Sequence, residues 1–268
     1  MSNTPTPSST SAPCISLDFN CRIGGDELCI MAGPCAVEGE NIFQIAAAVK
    51  DAGAQILRGG AFKPRTNPHT FQGIGLAGID LLVEAGHGLG MPVVSELMDV
   101  RLLETFLDKG VDMLQIGARN CQNFTLLKEV GRAGAPVLLK RSAGITVDEY
   151  LSAAEYILEE GNGQVILCER GIKSFDTSLR NCFDVMSIPV LKGRSDLLVF
   201  CDPSHATGRR DLVEPCALAG VAAGADGLII ETHVDPDRSI SDSRQTIGPD
   251  SLKAIITKSN SLRGVINA

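Results

Sequence analysis

Reactive or charged side chains stand at the ends of the apolar runs that could form buried β-strands. Eight such residues follow one another along the chain, namely Cys35, Arg58, Glu96, Arg119, Lys140, Arg170, His205 and Glu231. Segments with helical periodicity separate them. In a (β/α)8 barrel the C-terminal ends of all eight strands meet at one face, and the active sites of this fold lie there. The sequence therefore predicts an α/β enzyme built as a single (β/α)8 TIM barrel.

The predicted strands and helices alternate regularly. Strands are predicted near 29–32, 55–58, 92–96, 113–116, 136–140, 164–168, 197–202 and 227–231. Helices are predicted at about 41–52, 76–88, 99–108, 123–132, 146–160, 177–185, 211–223 and 250–262. Many of the strands are continuous apolar runs, which indicates burial on both faces. A doubly wound open sheet is the alternative, but eight parallel units with reactive endings favour closure.

The N-terminal region differs from the rest of the chain. Residues 1–13 are rich in Ser, Thr and Pro and nearly free of large apolar groups, so we expect a short N-terminal disordered tail. Residues 14–31 are consistent with two short strands around a turn at 24–26, a β-hairpin that could close the bottom of the barrel. Residues 14–268 are predicted to form one catalytic barrel domain, because 268 residues are enough for one such domain.

Composition excludes several classes of partner. The net charge of −8 argues against nonspecific binding to nucleic acid or to an anionic membrane surface, since both need a basic face. No apolar stretch approaches the roughly 20 residues of a membrane span, and no signal peptide is recognisable. The nine cysteines are an odd number without CxxC pairs, as expected for reduced thiols. We therefore expect a soluble, cytoplasmic protein with no nucleic-acid or membrane partner.

Cations concentrate at the predicted strand ends. Arg58, Lys63 and Arg65 fall within eight residues, among two glycines and two prolines. A solvated basic loop is the ordinary alternative for such a run, although the prolines argue against a merely flexible loop. Three further cations directly follow apolar strands, where a structural cation would need a partner: Arg119, Lys140 and Arg170. Together they predict a positive pocket for a substrate with two anionic groups, or for two phosphorylated substrates.

A second set of residues has the chemistry of metal ligands. Cys35, His205, Glu231 and Asp242 offer sulfur, nitrogen and oxygen donors, which suit a divalent metal such as Mn, Fe, Co or Zn. Their separation along the chain is large, so spacing alone is a weak signal. A buried Cys35 and a hydrogen-bonding His205 remain the alternative at this point.

Seven motifs occur in one order along the chain. They are GPCAVE (33–38), RGGAFKPRT (58–66), IGARN (116–120), LKR (139–141), CERG (168–171), DPSHATGRRD (202–211) and SD (241–242). Over about residues 20–262 the chain resembles the type I beta class of 3-deoxy-D-arabino-heptulosonate 7-phosphate (DAHP) synthase. That resemblance implies condensation of phosphoenolpyruvate with erythrose 4-phosphate, with release of phosphate, as the first step of the shikimate pathway toward the aromatic amino acids. A homodimer or homotetramer is expected.

The resemblance also assigns roles to residues. Phosphoenolpyruvate would be held by Arg58, Lys63, Arg119, Lys140 and Arg170, and the aldose phosphate would meet Arg65 and Thr66. Cys35, His205, Glu231 and Asp242 match the family's metal ligands, so Cys35 and His205 would also be catalytic and His205 would touch substrate. Lys63 is our candidate for proton transfer near the aldehyde, and Glu96 for positioning the water.

The sequence departs from the family's usual motifs in two places, and three alternative functions stay open. Residues 67–69 are Asn-Pro-His where Ser-Pro-Tyr is usual, and Arg244 follows where a Gly-Pro pair is more usual. The assignment of erythrose 4-phosphate is therefore less secure than that of phosphoenolpyruvate. Arabinose 5-phosphate, the substrate of the related 3-deoxy-octulosonate 8-phosphate synthase, is one alternative. A Schiff-base aldolase using Lys140 is the second. The third is a catalytically retired paralogue that binds metabolites for regulation.

Overall fold

The computed structural model describes residues 13–65 and 67–267. Thr66 and all but the last residue of the predicted tail lie outside the described residues. The described chain begins with an antiparallel hairpin of β1 (Ile15–Ser16) and β2 (Arg22–Ile23). The hairpin is as predicted, but its turn is not at 24–26. The chain reverses between the strands, where Phe19 and Asn20 both adopt φ of 57°, and Gly24 and Gly25 follow β2.

Eight parallel strands form a closed barrel in which sequence neighbours are also spatial neighbours. Its strands are β3 (Cys29–Gly33), β4 (Ile56–Arg58), β5 (Val93–Glu96), β6 (Met113–Ile116), β7 (Val137–Lys140), β8 (Val165–Glu169), β9 (Leu198–Cys201) and β10 (Gly227–Glu231). The register between β10 and β3, which pairs Gly227 with Cys29 and Glu231 with Gly33, closes the ring. The predicted (β/α)8 barrel is confirmed.

Helices follow the barrel strands around the outside. They are α1 (Asn41–Asp51), α2 (Leu76–His87), α3 (Leu103–Asp108), α4 (Phe124–Ala133), α5 (Val147–Leu158), α6 (Ser187–Arg194), α7 (Pro203–Thr207), α8 (Val213–Ala222) and α9 (Pro249–Ile266). Thr146 begins α5 as expected, because its hydroxyl accepts from the Glu149 amide while Glu149 accepts from the Thr146 amide. Within the described ranges, no helix is long and apolar enough to cross a membrane.

One predicted helix was wrong. Residues 177–185 form a loop, and the helix in this part of the chain is α6, which begins only at Ser187. The backbone of this loop is used for tertiary hydrogen bonds: Ile172 bridges Cys182, and the amides of Arg180 and Asn181 donate to carbonyls of α7. These contacts with distant segments outweigh local helical preference.

The core has two layers, as alternation along the strands requires. Outward-facing side chains pack against the helices, while inward-facing side chains fill the barrel, among them Met31, Ile56, Val94, Leu138 and Phe200. Ile15 and Ile23 of the hairpin pack onto this inner layer. The hairpin therefore covers one end of the barrel, and the C-terminal ends of the strands form the other.

Candidate active site

A cavity of about 410 Å³ opens at the C-terminal end of the barrel. The predicted cations around it are Arg58, Lys63, Arg65, Arg119, Lys140 and Arg170. Glu96, His205 and Asp242 also line it. We call this space the cationic cavity. The structure thus brings together every predicted substrate-binding residue that it describes, because parallel strands deliver all their C-terminal ends to one face.

The direction of each strand end decides which side chains reach the cationic cavity. Lys140 ends β7 and points inward, where its Nζ lies 2.5 Å from Asp202 Oδ2. Arg141, one residue later, points away and pairs with Glu169 at 2.9 Å and with Asp184 at 2.8 Å. The two adjacent cations therefore serve different purposes: Lys140 faces the cavity, whereas Arg141 ties β7 to the end of β8.

The buried cations nearest the ligand residues are held by oxygen acceptors. Arg58 donates to the Pro34 carbonyl at 2.7 Å and lies 3.3 Å from Glu231 Oε1. Lys63 Nζ donates to the Cys35 carbonyl at 2.9 Å. Burial opposes the charged form of Lys63, but the nearby Cys35 and Glu96 raise its pKa above the ordinary value. Lys63 is therefore an ammonium group that can donate hydrogen bonds or a proton.

The four predicted metal ligands also come together, and we refer to Cys35, His205, Glu231 and Asp242 as the ligand cluster. Donor atoms of Cys35, Glu231 and Asp242 all lie within 4.8 Å of one another. His205 Nε2 is 3.4 Å from Glu231 Oε1 and 3.8 Å from Asp242 Oδ2. Its other ring nitrogen lies 2.8 Å from Asp202 Oδ2, an arrangement that aims Nε2 at the cluster. This mixed donor set fits a divalent transition metal.

Protonation states in the ligand cluster follow from burial and charge. Burial lowers the pKa of His205, which favours the neutral imidazole that a metal ligand must be. Burial opposes ionisation of Glu231, but His205 and Arg58 hold its pKa below the ordinary value. Burial and the charge of Glu231 raise the pKa of the Cys35 thiol to about 12. The carboxylate and imidazole are thus ready to bind a cation, whereas the thiol must lose its proton on binding.

Several functional neighbours were missed from the sequence. The Ser241 hydroxyl lies 3.1 Å from Cys35 Sγ and accepts a hydrogen bond from Arg65. Gln245 is buried and donates to Glu231 Oε2 at 2.6 Å. Arg180 lines the cationic cavity and lies 3.4 Å from Asp242 Oδ1. Arg180 was missed because residues 177–185 were predicted to be helical, and Gln245 carries no sequence signal beyond an ordinary polar side chain.

The family model described as "DAHP synthetase I family" matches residues 7–266. The chain belongs to the DAHP synthetase I family. It is 43% identical over 242 residues to the phospho-2-dehydro-3-deoxyheptonate aldolase of Thermotoga maritima, covering 90% of this chain and 71% of that protein. A crystal structure of the Thermotoga maritima DAHP synthase superimposes with a TM-score of 0.91 at 41% identity, covering 95% of this chain and 74% of the other.

The chain is also similar to a more distant protein. The 2-dehydro-3-deoxyphosphooctonate aldolase of Geobacter sulfurreducens is 26% identical over 265 residues, covering 91% of this chain and 96% of that protein. Membership of the DAHP synthetase I family confirms the predicted resemblance and makes the chain an enzyme of this kind. The family and the Thermotoga relative also support aldol-type condensation as its chemistry.

Proposed function

We propose that this member of the DAHP synthetase I family condenses phosphoenolpyruvate with erythrose 4-phosphate, releasing phosphate, and that it needs a divalent metal. The observation that carries the proposal is the convergence of six predicted cations on one cavity whose wall also includes His205 and Asp242 of the ligand cluster. The proposed product is 3-deoxy-D-arabino-heptulosonate 7-phosphate.

The charge of the cationic cavity fits two phosphorylated substrates. Seven basic side chains line it, namely Arg58, Lys63, Arg65, Arg119, Lys140, Arg170 and Arg180. Arginine pairs with phosphate and carboxylate through two parallel hydrogen bonds, which fixes orientation as well as position. We assign phosphoenolpyruvate to Arg58, Lys63, Arg119, Lys140 and Arg170, and the aldose phosphate to Arg65. Thr66, the other residue assigned to the aldose phosphate, stays a prediction from the sequence.

The ligand cluster would hold Mn, Fe, Co or Zn through Cys35, His205, Glu231 and Asp242. Such an ion polarises a carbonyl oxygen or lowers the pKa of a water molecule. Side chains of the protein itself would transfer the proton and position the water. Lys63 is an ammonium next to the cluster, and Glu96 lies on the wall of the cationic cavity.

The proposed reaction forms one carbon–carbon bond and exchanges the phosphate oxygen on C2 for an oxygen from water. C3 of phosphoenolpyruvate attacks the aldehyde carbon, and Lys63 gives a proton to the alkoxide that forms. Water, positioned by Glu96, adds at the C2 cation left by this attack, and the proton that the water releases restores the ammonium of Lys63. The resulting tetrahedral carbon expels inorganic phosphate by C–O cleavage, and the proton of its new hydroxyl leaves with the phosphate as C2 becomes a ketone. The cations fix both substrates for the attack, which removes much of the entropic barrier.

Comparing aldoses and metals tests this proposal. Loss of phosphoenolpyruvate absorbance should be fastest with erythrose 4-phosphate, slower with arabinose 5-phosphate or ribose 5-phosphate, abolished by chelator and restored by Mn²⁺. The Cys35→Ser variant should need a much higher metal concentration to reach its full activity. Preference for arabinose 5-phosphate would overturn the aldose assignment alone. Chelator-resistant turnover with a borohydride-trapped adduct at Lys140 would replace the metal mechanism with a Schiff base.

The proposal also covers the oligomeric state of the protein and its location in the cell. We expect a homodimer or homotetramer, which light scattering on the purified protein measures directly. A cytoplasmic location is supported by the nine cysteines, all of which are free thiols.

A further inference from the structure

Gln245 joins Glu231 of the ligand cluster to a residue on another loop. Its amide Nε2 donates to Glu231 Oε2 at 2.6 Å, and its Oε1 accepts from Arg180 Nη1 at 3.0 Å. The partners determine the orientation of the amide, because an ionised carboxylate only accepts and a guanidinium only donates. Gln245 is 2% exposed, so water competes little for either bond.

The two oxygens of Glu231 therefore have different surroundings. Oε2 is held by Gln245, whereas Oε1 lies 3.3 Å from Arg58 Nη1 and 3.4 Å from His205 Nε2. The last torsion of a glutamate side chain has only broad preferences of its own. An anchor on Oε2 thus sets the direction in which Oε1 points, which is toward the ligand cluster.

Arg180 places the second carboxylate in a similar way. Its Nη1 lies 3.4 Å from Asp242 Oδ1, while Asp242 Oδ2 accepts from the Cys35 thiol at 3.3 Å. Asp242 has φ of 55°, in the left-handed region that non-glycine residues seldom adopt. The backbone N–H of Gln245 donates to the Asp242 carbonyl at 3.1 Å and supports this conformation.

The geometry points to Gln245 and Arg180 as positioning residues for the metal: each binds one oxygen of a cluster carboxylate so that its other oxygen faces the cation. This inference rests on the proposed metal site and goes beyond its four ligands. Hydrogen-bond partners of metal ligands typically contribute about 10- to 100-fold to metal affinity. Because Arg180 belongs to the loop between β8 and α6, the pair also links that loop to the cluster.

The test measures Co²⁺ binding rather than turnover. Gln245→Met keeps the length of the side chain and removes both amide hydrogen bonds. Gln164→Met is the control, because the Gln164 side-chain amide also donates a hydrogen bond, here to the Gly134 carbonyl, but at the opposite end of the barrel. Equilibrium dialysis gives the dissociation constant of Co²⁺, and the visible spectrum reports thiolate ligation and coordination geometry.

We expect one Co²⁺ per unsubstituted chain, about 10- to 100-fold weaker binding and an altered spectrum in Gln245→Met, and unchanged binding in Gln164→Met. Equal affinity of Gln245→Met and the unsubstituted chain would overturn the inference, as would equal weakening in both variants. Should Gln245→Met not fold, Arg180→Met serves in its place, with weaker binding supporting the inference and unchanged binding overturning it. Failure of the unsubstituted chain to bind Co²⁺ would instead reject the metal site itself, and this inference with it.

Discussion

Lys140 Nζ lies 2.5 Å from Asp202 Oδ2, and both side chains are buried. The same carboxylate oxygen lies 2.8 Å from His205 Nδ1. Although burial opposes ionisation, His205 and Lys140 hold the pKa of Asp202 well below its ordinary value. One ionised carboxylate therefore connects the cations of the cavity to the ligand cluster, so that the two halves of the candidate site are not independent.

Removing Lys140 should show how much its ion pair with Asp202 contributes to the stability of the fold. We expect Lys140→Met to lower the free energy of unfolding by about 3–5 kcal/mol, since Asp202 stays buried without its closest cation. Adding Asp202→Asn should recover part of that loss without restoring activity. Urea unfolding measures the free energy of unfolding of the single and the double variant. Lys109→Met, which breaks a pair with the exposed Asp80, should cost at most about 1 kcal/mol. A double variant no more stable than Lys140→Met would contradict the expectation.

Gly117 leaves room for the carboxylate of Glu96. A Cβ at Gly117 would lie 1.8 Å from Glu96 Oε1, the flexible end of that side chain. Gly117→Ala should therefore fold normally but displace Glu96, lowering kcat by at least about tenfold if Glu96 positions the water. Glu96→Gln should give a similar loss, and the double variant little more. Gly193→Ala, where a Cβ meets open space, is the control. Normal kcat in Gly117→Ala would remove Glu96 from the mechanism.

The Tyr150 hydroxyl connects β7 and β8 just before their active-site ends. It donates to the Leu139 carbonyl at 2.6 Å and accepts from the Cys168 amide at 2.7 Å. Tyr150→Phe should cost about 1–3 kcal/mol of unfolding free energy, because buried backbone groups lose a partner. Hydrogen exchange at Cys168 should accelerate, and KM for phosphoenolpyruvate should rise. Tyr156→Phe, a half-buried tyrosine stacked on Phe124, is the control. Unchanged exchange at Cys168 would show that the hydroxyl is dispensable.

Thiol reactivity should separate exposed from buried cysteines. Cys14 and Cys182 are exposed, whereas burial raises the pKa of Cys35 to about 12 and of Cys121 to about 11. Thiolate is the reactive form, so Cys121 in the folded protein at pH 8 should react slowly and speed up roughly tenfold per pH unit. We expect a fast phase of two thiols with Ellman's reagent.

Serine variants assign those phases. Cys14→Ser should remove one equivalent from the fast phase, and Cys35→Ser should remove none. Cys21 is half-buried, and a hydrogen bond with Cys29 lowers its pKa, so it should react at an intermediate rate. A fast phase that includes Cys35 would mean that the ligand cluster is open to solvent.

Local patterns in the sequence were enough to predict the barrel and most of its site. Buried strands read as apolar runs, and a reactive residue after each run must reach one face once the strands are parallel and closed. The start of α5 was predictable for the same reason, because Thr146 and Glu149 satisfy each other within one turn.

Contacts between distant segments decided the rest. The segment 177–185 has helical periodicity, yet its backbone bonds to α7 and its Arg180 reaches Gln245, 65 residues later. The hairpin turn lies before Gly24 rather than at it, since Ile15 and Ile23 must both reach the barrel interior. The sequence by itself determined the fold and the chemistry available at the strand ends. Only the tertiary structure decided which other side chains position these reactive groups, because loops far apart in sequence meet only when the barrel closes.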